Sequence, residues 1–240
     1  MLVATKAIVL NSIKYGDTSL IVKCFTEKAG CKSYLLKGVL GSKKGKIKAS
    51  YFQPLTQLNI IGKHNSKGNL NSLKEVHIHN PYQSLYSNIF KQSIVFFLSE
   101  VLSTSIQEEE SNEDLYSYIE SALMWLDLHE NISNFHLLFL LKLTKFLGFY
   151  PELENIGYSN FDLLEGRFVK NVKYHNNVVS NEDLIAFKKL LGINIDALHK
   201  VEFNAVNRHR VLDILIRYFE LHLTGFKRPK SLEVLRQVFS

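Results

Sequence analysis

Residues 20–48 read LIVKCFTEKAGCKSYLLKGVLGSKKGKIK, and this stretch decides the fold. Its first part holds two β-rich runs, 20–25 and 32–39, separated by the turn formers Glu27-Lys28-Ala29-Gly30. Working outward, residues 3–13 form a similar run before a Tyr15-Gly16-Asp17 turn, and residues 55–61 and 70–78 form two more. Glycine-rich separators lie at 41–45 and 62–68. Five short strands with a Lys/Gly-rich excursion after the third indicate a small closed barrel. The OB-fold is the commonest nucleic-acid-binding example, and an SH3-like barrel fits the periodicity equally well.

Charge is distributed unevenly along the chain. The net balance is +6, with a sequence pI near 9.1. Residues 1–80 hold thirteen lysines and no arginine against Asp17, Glu27 and Glu75, a net of +10. Residues 81–203 carry a net of −8 and residues 204–240 a net of +4. Positive charge gathered in one place is what counterion release from a polyanion requires. Five of the lysines, Lys37, Lys43, Lys44, Lys46 and Lys48, fall within the 37–48 stretch.

Asn80-Pro81 closes the strand-rich region, and helical periods follow. Residues 85–106 bring Leu85, Ile89, Phe96, Phe97, Val101 and Leu102 near one face. The acidic run at 108–114 then serves as loop and N-terminal cap for a helix over 115–128. Residues 135–147 are apolar all round, as in the central helix of a bundle, and Gly148 with Pro151 ends them. The pattern is irregular at 157–179, with a short hairpin expected at Glu165-Gly166. Helices resume at 181–191 and 204–224, and Ser231 is expected to cap a final short one. The expected class is therefore α+β and multidomain: a five-stranded barrel domain over 1–80, then a helical domain over 81–240 with an irregular insert at about 152–179.

At 46% hydrophobic residues the chain can fill a core. Its first residues lack the apolar core and small-residue cleavage site of a signal peptide, so secretion is not expected. The apolar run at 135–149 is broken by Lys142 and Lys145 and is too short to span a bilayer. Cys24 and Cys31 form no CxxC pair, which fits a reducing compartment; the expected location is cytoplasmic, with no membrane partner.

A catalytic constellation is not legible. His77 and His79 form an HxH at a strand end, and alternating exposed positions explain them better than a metal. Cys24 within a strand and Cys31 at a turn do not read as nucleophiles. Gly38 to Gly41 followed by Lys43 and Lys44 lacks the Gly-Lys-Ser/Thr ending of a phosphate loop. No cofactor, metal or catalytic residue is expected.

The lysine stretch reads as a phosphate-binding loop. Gly38, Gly41 and Gly45 let backbone amides approach phosphates. Tyr34, Tyr51 and Phe52 flank it. Phe52 is assigned to the core, whereas Tyr34 and Tyr51 stay open as platforms on which bases could stack. Toward the C-terminus, Arg208, Arg210 and Arg217 share a segment with Asp213 and Glu220, so pairing within the helix competes with ligand binding. Lys227, Arg228 and Lys230 lie beyond Gly225. They are candidates for a second phosphate track or for an acidic tail of a partner.

Taken together, these features resemble the RecO family of bacterial recombination mediators over nearly the whole chain. The residues that carry the likeness are Tyr15-Gly16-Asp17-Thr18-Ser19-Leu20, Phe25-Thr26-Glu27 with Gly30, Lys37-Gly38 and Gln53-Pro54-Leu55. In the second half they are Leu147-Gly148-Phe149 with Pro151, and Gly225-Phe226-Lys227 through Lys230-Ser231 into Leu235. The resemblance implies an N-terminal OB-fold, a helical C-terminal domain and a non-catalytic role. That role is binding of single- and double-stranded DNA, annealing of complementary strands and, with RecR, helping RecA displace the single-stranded DNA-binding protein, whose acidic C-terminal tail is a candidate partner. Many relatives carry a four-cysteine zinc cluster that would fall at residues 152–168. No cysteine stands there, so zinc is not carried over, and packing by Ile156, Phe161, Leu163, Leu164 and Phe168 is expected instead.

Two other classes remain open to the sequence. A metal-dependent nuclease would need carboxylates or histidines converging on an ion, and the basic block offers three acids. An adaptor would use its basic surfaces for acidic protein tails without touching DNA.

Overall fold

The first strand, β1, is long, Leu2–Tyr15, and its inner and outer faces do not alternate throughout. Ala7, Ile8, Val9 and Leu10 are all buried. The pairing explains this: Val9 lies opposite Cys24 and Asn11 opposite Lys23, so Leu10 is the extra residue of a β-bulge. Strands β2 (Ser19–Thr26), β3 (Gly30–Leu36), β4 (Gln57–Lys63) and β5 (Leu70–Ile78) complete a closed barrel in the order β1-β2-β3-β5-β4. β5 joins β3 in parallel through Ser33 opposite Leu70 and Tyr34 opposite Asn71, and every other pairing is antiparallel. This is the OB-fold, not the SH3-like alternative. The computed structural model describes residues 1–41, 47–65, 70–108, 110–171 and 176–240.

Inside the barrel, Val22, Cys24, Tyr34, Leu36, Leu58, Ile60 and Val76 pack with Phe52, which enters from a 3₁₀ turn at Ala49–Phe52. Two helices share a compact unit with the barrel, Met1–Leu128 together with Pro229–Ser231: α1 (Ile89–Ser105) and α2 (Glu113–Leu128). Residue 85, read as the start of the first helix, instead lies in a turn tied to α2. The Asp127 carboxylate accepts the amides of Gln83, Ser84 and Leu85, each at 2.8 Å. Burial works to raise the Asp127 carboxyl, but these bonds and the Ser84 hydroxyl outweigh it and hold the group below its usual range. The helix proper starts at Asn88, whose side chain caps Phe90 and Lys91. Lys91 is wholly buried and donates to Ser84 Oγ at 2.7 Å and to the Asp127 carbonyl at 2.8 Å.

The second unit comprises His129–Arg228 and Leu232–Ser240. Its central helix, α3 (Phe135–Phe146), is buried on nearly every side, as its all-apolar sequence predicts. A three-stranded sheet, β6 (Asn160–Asp162), β7 (Arg167–Val169) and β8 (Val178–Ser180), is ordered β7-β6-β8. The β6–β7 hairpin turns at Gly166 with φ +68°, where the sequence placed it. Helices α4 (Asn181–Lys188), α5 (Ala205–His222) and α6 (Leu232–Val238) complete the unit. The Ser231 hydroxyl, expected to cap α6, makes no hydrogen bond among the described residues. The Ser231 and Lys230 amides instead bond the Glu100 carboxylate.

Candidate nucleic-acid interface

The basic loop leaves and re-enters the barrel at fixed points. Past β3, Lys37 is exposed and Val39 packs into the core. The Gly38 amide reaches Ser19 Oγ at 3.4 Å, and the Leu40 amide donates to the Thr18 carbonyl at 2.9 Å, so the start of the loop is bound to the β1–β2 turn. A side chain at Gly41 would come 3.1 Å from the Thr18 methyl, which makes glycine the easy choice for this approach. At the far end, Lys48 is exposed and its carbonyl accepts the Tyr51 amide at 3.1 Å, while Ile47, Ala49 and Tyr51 lean on the core. Lys43, Lys44 and Lys46 lie outside the described residues.

The structure sorts the remaining lysines of the barrel by role. Lys6 pairs with Glu120 at 3.2 Å and with Glu27 at 3.9 Å. Lys23 donates to the Ser103 and Ile106 carbonyls at 2.7 and 3.0 Å, capping the C-terminal end of α1. Both are structural. Lys14, Lys28, Lys37, Lys48, Lys63 and Lys74 are exposed.

Tyr34 is a correction. It is fully buried on the inner face of β3, opposite Val22 and Asn71, and donates or accepts at His64 Nε2 over 2.9 Å, so no ring face is left for a base. Burial pushes the Tyr34 hydroxyl up. Burial also lowers His64, helped by the Lys32 and N-terminal amine charges. Gly62 makes room for the pair, since a side chain there would meet the Tyr34 ring at 3.1 Å. Phe52 is core, as assigned. Tyr51 is half-buried and stays at the loop's exit. The exposed aromatic at this end is Tyr15, which the sequence reading assigned to a turn; its place at a strand end just before Gly-Asp-Thr was the available signal.

The C-terminal basic residues divide differently from the sequence expectation. Arg208 is spent on the fold: its guanidinium donates to the Phe203 carbonyl at 3.1 Å, the Phe239 carbonyl at 2.9 Å and Asn134 Oδ1 at 3.2 Å. Beside it, His136 is buried and pushed down to about 3 by that burial and by the Arg208 and His209 charges. Arg208 is therefore withdrawn as a ligand-binding residue. Arg210 pairs with Asp183 at 3.3 Å and Glu182 at 3.5 Å, and Arg217 with Glu220 at 3.3 Å. Arg228 reaches Asp213 at 3.2 Å, a carboxylate that Arg236 also engages. Lys227 is exposed and forms no ion pair with another described residue, while the Lys230 side chain is exposed beyond its tethered amide.

Among the described residues no group of three or more His, Cys, Asp or Glu side chains is placed to hold a metal. His79 is taken up by Asn59 at 3.1 Å and Glu120 at 3.4 Å. Cys24 and Cys31 are buried and unbridged, and burial raises the Cys24 thiol far from thiolate chemistry. At residues 152–168, Phe161, Leu163 and Phe168 are buried as expected, whereas Ile156 and Leu164 are exposed.

Residues 1–82 match the family described as Recombination protein O N terminal, and residues 86–233 match Recombination protein O C terminal. Over the full length of both chains, the sequence is 46% identical to the DNA repair protein RecO of Flavobacterium johnsoniae, 44% to that of Christiangramia forsetii and 35% to that of Bacteroides fragilis.

Proposed function

The chain belongs to the RecO family of DNA repair proteins, and from that premise we propose that it is a non-catalytic, DNA-binding mediator of recombinational repair. The observation that carries the reading is the anchoring of both ends of a Lys/Gly loop on an OB barrel, with Lys37 and Lys48 exposed at its two ends. A loop fixed at its ends and rich in glycine follows the phosphates of any sequence, because charge contacts to the backbone carry no base information. Holding two strands on one such surface lowers their mutual repulsion and favours pairing.

In this proposal residues 1–80 are the nucleic-acid-binding module and residues 81–240 the helical body. Its partners are single- and double-stranded DNA, RecR, the acidic tail of the single-stranded DNA-binding protein and, indirectly, RecA. Exposed Lys227 and Lys230 are the candidates for a partner's acidic segment; Arg210, Arg217 and Arg228 would first have to leave their carboxylates. The proposed location is cytoplasmic and nucleoid-associated; no helix among the described residues is long and apolar enough to cross a membrane. The test is annealing of complementary labelled strands coated with single-stranded DNA-binding protein. Accelerated annealing without strand cleavage supports the proposal; no DNA binding at low salt refutes it.

A further inference from the structure

Among the described residues, three that are not glycine have a left-handed backbone: Asn155, Asn181 and Leu55. Asparagine tolerates that region, whereas a leucine side chain crowds the backbone there. Leu55, with φ +61°, is fully buried and stands seven residues after Lys48, where the basic loop feeds into β4. Such a residue keeps its conformation only where its surroundings impose it.

Two tyrosine hydroxyls supply much of that constraint. Tyr82 Oη donates to the Leu55 carbonyl and Tyr86 Oη to the Pro54 carbonyl, each at 2.9 Å, and Tyr86 Oη also meets Thr56 Oγ1 at 2.8 Å. The Leu55 amide donates to the Val9 carbonyl at 2.7 Å, the Val9 amide to the Thr56 carbonyl at 3.0 Å, and the Thr56 amide to the Gln53 carbonyl at 3.1 Å. Every main-chain polar group from Pro54 to Thr56 is thereby bonded. Burial pushes the Tyr86 hydroxyl up to about 12 and the Tyr82 hydroxyl well above its ordinary value, so both keep the proton they donate.

The tyrosines are themselves fixed. They sit in the connection between β5 and α1, edge to face with ring centroids 5.6 Å apart. Before them the Asn80 side chain bonds Gln57 Oε1 at 2.6 Å, between them the Asp127 carboxylate takes the amides of residues 83–85, and after them Gln92 bonds the Tyr86 carbonyl. The connection thus clamps the exit of the loop, while Thr18 and Ser19 hold its entrance.

We propose that Tyr82 and Tyr86 are positioning residues for DNA binding. Their hydroxyls hold Leu55 in its strained backbone and so fix Lys48, at the exit of the basic loop, against the barrel before DNA arrives. This deepens the reading of the protein as a DNA binder and rests on it. A lysine on a loosely tethered exit has to be ordered as the phosphate binds, and that ordering costs affinity. A lysine on a fixed exit meets the phosphate without that loss.

Tyr82→Phe and Tyr86→Phe, singly and together, test the positioning role, because each removes a hydroxyl and leaves the ring packed. Fluorescence anisotropy with a labelled oligothymidine would read affinity and its salt slope. The double variant should bind about 2- to 10-fold more weakly at low salt, as expected for ordering one long side chain. It should also lose about 0.7 from the slope, one phosphate contact. Lys48→Ala should weaken the parent but change the double Phe variant by less than about twofold, whereas Lys37→Ala, at the loop's entrance, should weaken both alike. Lys23→Ala, which loosens the same unit away from the loop, should leave the slope where it is. Urea unfolding checks that each variant is folded under the binding conditions, and either single change carries the same cycle with Lys48 should the double one be unfolded.

A loss that adds to that of Lys48→Ala, or a slope equal to the parent's, overturns the positioning role while DNA binding itself stands. Losses that track unfolding stability in the Phe variants and Lys23→Ala alike make the tyrosines structural only, which also overturns it. So does a Lys48→Ala change without effect in the parent, since there is then no contact to position. Failure of the parent to bind DNA removes both the proposal and the function beneath it.

Discussion

Replacing Lys37 and Lys48 together with alanine separates lysines that meet DNA from lysines that build the protein. Both side chains are exposed at the ends of the basic loop, and neither forms an ion pair with another described residue. Each phosphate contact to a single strand contributes about 0.7 to the slope of log affinity against log salt. Between 50 and 200 mM salt, about a fourfold change, one contact therefore accounts for roughly a 2.6-fold loss of affinity and two for about sevenfold. The double variant should lose about 1.4 from the slope, measured by anisotropy with an oligothymidine over that range. Lys23→Ala is the internal control. Its Nζ is committed to the Ser103 and Ile106 carbonyls, so its removal should cost about 1–2 kcal/mol in urea unfolding and leave the salt slope alone. A slope unchanged in the Lys37/Lys48 variant, or one that falls equally in Lys23→Ala, would refute the division of roles.

Two further predictions concern the scaffold. Asp127→Asn should destabilise the first unit by about 3 kcal/mol near neutral pH, since an amide cannot accept from all three amides of residues 83–85. A carboxyl held below its usual range stabilises the fold fully above about pH 4 and less as acid protonates it, so the gap between parent and variant should narrow below pH 4 in denaturation curves. Gly166→Ala should cost about 2–4 kcal/mol, because its backbone has φ +68° and the new methyl would stand 2.6 Å from Tyr218 Oη. Gly148→Ala, with φ +83° and open space around it, should cost only about 1 kcal/mol by the same measurement.

The barrel was legible because each strand is an apolar run closed by glycine-rich turns, and the observed strands fall on all five runs. The Leu10 bulge was not legible. Four buried residues in a row read as one continuous apolar run, which hides the change of face that turns Ile13 and Tyr15 outward. Tyr34 went astray for the opposite reason. Its place beside the lysines drew a binding role, although alternation with Leu36 puts it inside. Arg208 shows what one-dimensional reading lacks: Asp213 and Glu220 lie within reach in sequence, but the carbonyls of Phe203 and Phe239 and the side chain of Asn134 take its guanidinium. Lys14, Lys28, Lys37, Lys48, Lys63 and Lys74 stay exposed because hydrated charge remains outside unless paired.

The β6–β8 sheet poses a question of stability that its own residues answer. Three strands of three residues each are too short to hold without support, and residues 152–168 offer no thiolate to a metal. Aromatic packing supplies the support. Phe161 is wholly buried, with ring centroids of Phe168 at 5.0 Å, Phe187 at 5.3 Å and Tyr218 at 6.0 Å. Phe149 extends the cluster to Phe219 and stacks on His222, each at 5.3 Å, and His222 Nε2 meets the Leu163 carbonyl at 2.8 Å. Lys188 closes the far side by donating to the Tyr158 carbonyl at 2.9 Å while its amine lies over the Phe168 ring. Rings that bury 150–250 Å² each, with about 0.5–1.5 kcal/mol more per favourable pair, are enough to fix so small a sheet. Prolonged dialysis against a chelator should therefore leave the thermal midpoint unchanged, while Phe161→Ala should cost about 3–5 kcal/mol. A chelator that lowers the midpoint, reversed by adding zinc, would show that a metal and not this cluster holds the sheet.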